Sequence, residues 1–309
     1  MPVTLRDLAN ACAVDTSTVS RALRDDSRVA PATRAKVKAE AARLGYHPNL
    51  AARNLVTGRT HTVWFLAGGL EAPQNHQPAT TAAKRVRECG LDLLVAVHHG
   101  DRAAHERLLL RLRQHLCDGA LVIADGLDLE SDLLVQLHAD GFPLVFVDRH
   151  RADLDIPAVS STNAEAAAEL VHRCVAAGAT TLVNLFNPGG NTVEDARSAG
   201  VRLAAEQLGL PVVGPDATLP ATDWTVFASC ESDARGWARR RALRLSRAGV
   251  FDAWHGDLPP GSVVHCADQD FAAMGALAAD LLLDLMAGKA VEPGLRLVPI
   301  AGIRRITGD

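Results

Sequence analysis

The chain has 309 residues, 48% of them apolar and 22% charged, so it can bury more than one core and is neither a disordered nor a fibrous protein. No apolar run approaches the roughly 18 residues of a membrane span. Arg6 and Asp7 also interrupt the place where a signal peptide would carry its apolar stretch, so a cytoplasmic protein is expected. The formal net charge of −4 is unevenly spread: residues 1–60 hold more Lys and Arg than Asp and Glu, and the remainder is acidic. A basic head on an acidic body suits a polyanionic partner, and equally a solvated basic face.

In chain order, Thr4 caps a first helix, with Asp7 three residues on and Leu5, Leu8, Ala9 and Cys12 as its buried stripe. Ala13-Val14 makes a tight turn. Asp15 caps a second helix from Thr16 to Leu23, with Val19, Ala22 and Leu23 inward and Thr16, Ser17, Ser20 and Arg21 outward. Pro31 opens a third helix whose inner face is Val37, Ala41 and Leu44, and Gly45 stands at its C-terminal cap. Two helices on a short turn, the second starting with small polar side chains and an arginine, form a helix-turn-helix pattern suited to the major groove. A plain three-helix domain with a polar face would share much of this pattern.

From Thr60 onward, short β-rich runs alternate with amphipathic stretches. Strands are expected over 61–68, 91–97, 119–125, 143–148, 181–186, 225–229, 262–267 and 296–302. Helices are expected over 79–89, 102–116, 130–140, 163–177, 193–208, 231–248 and 270–287. Such alternation means parallel sheets with helices on both faces and a ligand crevice at the strand C-termini. Asp148 at a strand end and Arg197 on a helix could grip sugar hydroxyls or form an ordinary ion pair. Trp64, Trp224, Trp237 and Trp254 fit either a sugar-facing wall or the core, the commoner fate.

The six cysteines are scattered with no C-x-x-C pair and read as free thiols. No nucleophile elbow, P-loop, H-E-x-x-H or G-x-G-x-x-G motif is found, so no enzyme, catalytic residue or cofactor is expected. His98-His99 at a strand end could suggest a metal, but no cluster of carboxylates or cysteines accompanies it, so no metal site is expected either.

Residues 3–60 resemble, without gaps, the DNA-binding head of the lactose-repressor (LacI/GalR) family of bacterial transcription regulators. T-V-S-R-A-L (18–23), T-R-x-x-V (33–37), L-G-Y-x-P-N (44–49) and A-R-x-L (52–55) carry the likeness. The resemblance implies that Thr16, Ser17 and Arg21 face base edges while Thr4, Thr18 and Ser20 hold phosphates. It also implies a hinge helix over 49–56, with Asn49 as its cap, Ala52 for close approach and Leu55 wedging a minor-groove base step; Leu55 packing on its own body is the other reading. Ala30 departs from the family's usual cap before the third helix.

The body is similar, more loosely, to the family's ligand-sensing part, a periplasmic-binding-protein-like pair of α/β subdomains. The likeness rests on V-D-R (147–149), Thr162-Asn163, Arg197 with Gly200, VFASCES-DARG (226–236) and QDFAAMG (269–275). It implies effector contacts at Asp148, Asn163, Arg197, Glu231 and Asp252, with Asp257 the rival for the last place. The second subdomain is expected to be shortened around 210–224 and 249–260. The implied organisation is a helix-turn-helix head over 1–46, a hinge over 47–59 and an effector-binding and dimerisation body over 60–309. The implied function is a transcriptional regulator, a repressor, binding a palindromic operator as a homodimer or tetramer and controlled by a sugar-like effector. The alternative is a cytoplasmic small-molecule binding protein of the same body fold, with no DNA role.

Overall fold

The structure is a computed structural model that describes residues 3–47, 54, 58–129 and 131–308. Asn49, Ala52 and Leu55, and with them the hinge-helix expectation, lie outside the described residues. The chain divides into two compact units, Met1–Thr60 and His61–Asp309.

In the first unit, α1 (Leu5–Cys12) starts on a reciprocal cap: the Thr4 hydroxyl accepts from the Asp7 amide and the Asp7 carboxylate accepts from the Thr4 amide. Ala13 ends the helix in a left-handed conformation at φ 55°. Asp15 caps α2 (Thr16–Leu23) by accepting from the Thr18 amide. Pro31 begins α3 (Pro31–Leu44), whose capping residue Ala30 makes no side-chain bond, a loss of about 1 kcal/mol against serine there. Gly45 closes α3 at φ 64°. Leu8, Cys12, Val19, Ala22 and Val37 are almost wholly buried and form the small core joining the three helices.

The second unit contains two six-stranded sheets. The first sheet is parallel throughout, in the order β11-β5-β4-β3-β1-β2. Its strands are β1 (Thr62–Ala67), β2 (Asp92–Val97), β3 (Gly119–Val122), β4 (Leu144–Val147), β5 (Pro157–Ser161) and β11 (Gly294–Val298). Helices α4 (Pro73–Glu88) and α11 (Phe271–Met286) pack on one face around Phe65, Val145 and Met274. On the other, α5 (Arg102–Arg113) and α7 (Asp132–Ala139) pack around Leu66, Leu112 and Phe146, and one-turn α6 (Gly126–Leu129) follows β3. Continuous Val, Leu and Phe runs such as Leu144–Val147 are buried from both sides, as parallel sheets require.

The second sheet runs β12-β10-β9-β8-β6-β7, with only β12 antiparallel. It is made of β6 (Thr181–Asn184), β7 (Val212–Val213), β8 (Trp224–Ala228), β9 (Arg247–Phe251), β10 (Val263–Asp268) and β12 (Gly302–Thr307). Helices α8 (Asn163–Ala176) and α9 (Thr192–Leu208) cover one face and α10 (Glu231–Arg240) the other. The chain crosses between the sheets at 161–163, 268–271 and 298–302. Hydrogen bonds tie the crossings together: Thr162 N to Val298 O, Ala301 N to Asp268 O, and Ile300 N to the Thr162 hydroxyl.

The structure corrects several expected boundaries. The helix expected over 231–248 stops at Arg240, because Ala242 turns the chain at φ 53° and Leu245 enters the core ahead of β9. The single strand expected over 296–302 is two strands, β11 in one sheet and β12 in the other. Strands β5, β7 and β9 were not foreseen; Pro157–Ser161 has too few β-branched residues to announce itself, although every one of them is buried. The shortening is visible as β7, two residues long, followed by 214–223 with no helix, and as a helix-free 252–262 between parallel strands β9 and β10.

Each half has one helix pair in backbone contact. A Cβ on Gly275 of α11 would lie 2.3 Å from the carbonyl oxygen of Pro78 in α4, and one on Gly200 of α9 would lie 2.1 Å from that of Ala164 in α8. Gly275→Ala is therefore expected to lower the body's unfolding free energy by about 1–3 kcal/mol, the usual cost of forcing apart a packed interface. Urea unfolding followed by circular dichroism measures it, and an unchanged midpoint would refute the close contact.

Candidate functional site

Two surfaces concentrate the chemistry, one in each unit. In the head, Thr4, Thr16, Ser17 and Arg21 are exposed and Thr18 and Ser20 partly so. Several of the hydroxyls are held by local acids. Thr4 Oγ1 donates to Asp7 Oδ2 at 2.7 Å, and Ser17 and Thr18 both donate to the Asp15 carboxylate. The Ser17 hydroxyl, with the Thr18 amide and hydroxyl, draws the Asp15 carboxyl down to about 2, so the cap stays ionised at any physiological pH. Ser20 Oγ accepts from Arg24 at 3.2 Å. Three other basic groups of the head pair with its own acids, Arg28 with Asp26, Lys38 with Asp25 and Arg43 with Glu40, while Arg34 and Lys36 donate to backbone carbonyls. Arg21 has no hydrogen-bond partner among the described residues. Helix α2 thus presents short hydroxyls in its first turns and an exposed guanidinium without a hydrogen bond, that of Arg21, in its last.

In the body, two aspartates end equivalent strands of the two sheets. Asp148 follows β4 and Asp252 follows β9, each the third strand in its sheet order. Both are left-handed, at φ 63° and 62°, and each donates its amide to the neighbouring strand, Asp148 to Val159 O and Asp252 to Ala267 O. A left-handed aspartate costs about 1 kcal/mol or more, so the pair marks places where the strand ends are turned to present a carboxylate.

Between them lies Arg197 on α9, only 5% exposed. Its guanidinium sits 3.6 Å above the centre of the Phe251 ring, and its Nε donates to Asn163 Oδ1 at 2.8 Å. Asn163 in turn donates to Ser160 Oγ and Ser161 O, which sets the direction of its amide. Burial pushes the Asp148 carboxyl up, against the pull of Arg149 and Arg197. Burial likewise raises Asp252 to about 6, with Arg197 and the Gln269 amide bonds opposing it. Asp148 Oδ1, Arg149 Nε and Gln269 Oε1 are buried without a hydrogen-bond partner. Unpaired buried donors and acceptors at one crevice are the mark of a site shaped for a polar ligand.

The structure brings Asp148, Asn163, Arg197 and Asp252 together and assigns Glu231 elsewhere. The Glu231 carboxylate accepts from the His255 and Gly256 amides and from Arg235, fastening the helix-free loop that follows Asp252. Asp257, the rival to Asp252, is exposed on that loop and lends Arg235 its carbonyl oxygen. All four tryptophans are buried in the core clusters, and Phe251, also fully buried, lies under the Arg197 guanidinium.

Comparison with known proteins adds what the head and the fold are similar to. Residues 4–49 match the family described as "Bacterial regulatory proteins, lacI family". Along the chain, the transcriptional regulator DegA of Bacillus subtilis is 25% identical over 214 residues, 69% of this chain and 63% of DegA. The regulator RafR of Escherichia coli is 33% identical over 158 residues, 48% of this chain and 44% of RafR. The chain therefore spans less than two thirds of the length of these relatives. Among solved structures, the lac repressor dimer bound to operator and anti-inducer superposes with a TM-score of 0.78 at 22% identity, covering 99% of this chain and 98% of that one. Residues 4–49 thus match a LacI-family DNA-binding domain, and the body shares the fold of the lac repressor.

The cleft also contains partners that the sequence did not single out. Gln269 donates to both Asp252 oxygens, at 3.3 and 3.1 Å, and His150 meets Thr192 of the other half through its amide at 3.3 Å and its Nδ1 at 3.2 Å. Gln269 stood inside a quoted motif, but its role needs the strand end of β9 beside it. His150 and Thr192, 42 residues apart, carry no sequence signal at all.

Asp252 makes stability depend on pH in a defined direction. Its folded-state value of about 6 exceeds the ordinary 3.8, so between these pH values the folded chain holds a proton that the unfolded chain has lost. Its contribution to stability is therefore present below about pH 4 and is lost as pH rises through about 6. Asp252→Asn is expected to be the more stable form at neutral pH, its margin over the parent widening from about pH 4 to about pH 7. Urea unfolding of both forms across that range checks the sign, and a constant margin would show that Asp252 titrates normally.

Proposed function

We propose that the protein is a sequence-specific transcriptional repressor of the bacterial cytoplasm, binding a palindromic operator as a homodimer under the control of a small polyhydroxylated, sugar-like effector. The observation that carries the DNA reading is α2: a capped helix within the family-matched residues 4–49, with Thr16, Ser17 and an unpaired Arg21 exposed at its open face. In this reading Thr16, Ser17 and Arg21 meet base edges, Thr4, Thr18 and Ser20 meet phosphates, and Asn49, Ala52 and Leu55 form the segment that enters the minor groove. The head is residues 1–46, the linker 47–59 and the effector-binding, dimerising body 60–309.

The effector reading rests on the cleft. Two carboxylates accept from vicinal hydroxyls, a guanidinium stacked on an aromatic ring donates in a fixed fork, and the unpaired Asp148, Arg149 and Gln269 atoms gain partners when a polyol enters. A structural neighbour, the transcriptional regulator CelR, was solved in complex with cellobiose, a ligand of this chemical class.

A mobility shift on DNA spanning the gene's own upstream region is the deciding experiment. A shift that weakens steeply from low to moderate salt supports the proposal, because phosphate neutralisation releases counterions. No shift at any salt would leave the small-molecule binding protein without a DNA role. Arg21→Ala is expected to cost about 1–3 kcal/mol on the operator and much less on random DNA. Equal losses on both would make Arg21 a phosphate contact.

Dimerisation is assigned to the open edge of the first sheet. In β2, Leu94 is 49% and Val95 42% exposed, although the strand reads Asp-Leu-Leu-Val-Ala-Val. The groove beside it is lined by Leu70, His76, Ala79, Thr80 and Leu93. An unpaired apolar edge of this kind invites pairing, and two heads reading two half-sites require a second copy. Leu94→Arg is expected to give a monomer in analytical ultracentrifugation and to lower operator affinity while leaving the fold intact. A Leu94→Arg dimer as tight as the parent would move the interface elsewhere.

A further inference from the structure

A second group of polar side chains lies at the C-terminal strand ends of the first sheet, apart from the Asp148–Arg197–Asp252 cleft residues. His98 follows β2, Asp125 follows β3, and Asp128 lies on α6 just beyond. The His98 Nε2 and one carboxylate oxygen each of Asp125 and Asp128 lie within 4.8 Å of one another. The His98 side chain is 1% exposed, and its Nε2 is buried without a hydrogen-bond partner, 3.3 Å from Asp125 Oδ2. We propose that these three side chains form a binding site for a divalent transition-metal ion of the zinc type.

Three features of the surroundings support a cation here. First, two carboxylates held this close repel each other unless a proton or a cation lies between them. Second, Asp128 is oriented as ligating carboxylates are. Its Oδ1 accepts from Nε2 of the buried His105 at 2.7 Å, and its Oδ2 accepts from the Asp125 amide at 3.0 Å. Asp125 is set in the same way, with Oδ1 accepting from the Leu127 amide at 2.8 Å and Oδ2 left for a ligand. Third, the strand between β2 and β3 ends in Gly68. A Cβ there would lie 3.1 Å from Asp125 Oδ2 and 3.9 Å from His98 Nε2, so a glycine at this place keeps a side chain out of the space beside those two ligand atoms. Three protein ligands and an open fourth position is the arrangement of an accessible zinc site, and a mixed nitrogen–oxygen set favours Zn2+ or Co2+ over Ca2+, which takes six or more oxygens.

Loading needs two local changes. Metal–ligand bonds of about 2.0–2.2 Å draw ligand atoms closer than they now stand, so the three groups close by roughly an ångström. In the metal-free chain the Gly100 amide donates to His98 Nδ1 at 3.2 Å, which leaves the ring proton on Nε2. On binding, Nε2 gives up that proton, Nδ1 takes one from solvent and the Gly100 amide turns to water. Gly100 is exposed at a loop tip with φ 73°, where such a turn is easily made. The ring stays neutral, and no net proton is lost from it.

The test uses the full chain freed of metal by a chelator, titrated with Zn2+ by calorimetry and with Co2+ by visible absorption. One ion per chain is expected, with the intense Co2+ bands of a four-coordinate site. Asp125→Asn, at a partly exposed residue whose change leaves the core untouched, and His98→Gln should each weaken binding at least about tenfold, and His105→Gln about 10–100-fold through Asp128. Cys89 is exposed and Cys230 half-buried, so a Cys89→Ser/Cys230→Ser chain should bind as the parent does. Either of two results overturns the proposal: no saturable binding by the parent chain, or binding that survives Asp125→Asn combined with His98→Gln. Circular dichroism of each variant separates lost binding from lost fold, and if His98→Gln does not fold, Asp125→Asn alone decides.

Discussion

A guanidinium taken out of water needs acceptors and counter-charge around it, or it destabilises the fold that buries it. Arg197 meets that need from both halves of the body. Asn163 accepts from its Nε, the Phe251 ring lies flat beneath it, and the carboxylates of Asp148 and Asp252 act on it from the ends of two different sheets. Burial lowers its proton affinity and raises that of both aspartates, while the attraction between the guanidinium and the two carboxyl groups opposes both shifts. The cleft is therefore an electrostatic balance, and a ligand that supplies hydroxyls shifts that balance without adding charge.

The two halves that share this arginine are built alike. Each has a left-handed aspartate on the third strand of its sheet and a helix pair so close that a glycine is required at the contact. They are joined by three short crossings, bonded to one another through Thr162, Asp268, Val298 and Ala301. Few residues therefore connect the two halves, and all of them lie in one bonded group. The shortened second half keeps this logic. Glu231, in a place where the family would lead one to expect an effector contact, instead anchors the loop after Asp252 in place of the absent helix.

Polar chemistry gathers at strand C-termini because parallel strands all end there together, with helices following on both faces and leaving the crevice between them open. Gly68, His98, Asp125 and Asp148 follow four neighbouring strands of the first sheet, β1, β2, β3 and β4. Along that row the body changes from histidine-rich to acid-and-arginine chemistry within one crevice edge. The head has no such crevice: its chemistry is one helix face whose hydroxyls are already oriented by Asp7 and Asp15.

Much of the head was legible in the sequence, because its signals are local. A cap and the residues it serves lie three positions apart, a helix stripe repeats within two turns, and Thr4, Asp15 and Gly45 all cap as their neighbours require. The alternation of strands and helices was legible for the same reason, and so was the placing of Asp148 at a strand end and Arg197 on a helix. Tertiary structure alone decided what depends on distant neighbours. Pro157–Ser161 is a strand because β4 and β11 flank it, and residues 294–307 divide between two sheets because the chain crosses at 299–301. Asp252 rather than Asp257 faces Arg197, and Glu231 does not, because the loop between them is shaped by bonds spanning more than 20 residues. His98 looked isolated in sequence, since its carboxylates arrive from the next strand but one. Local propensity acts over a few residues, whereas a site's charge and geometry are set by whichever chain segments the packed core brings to the same strand end.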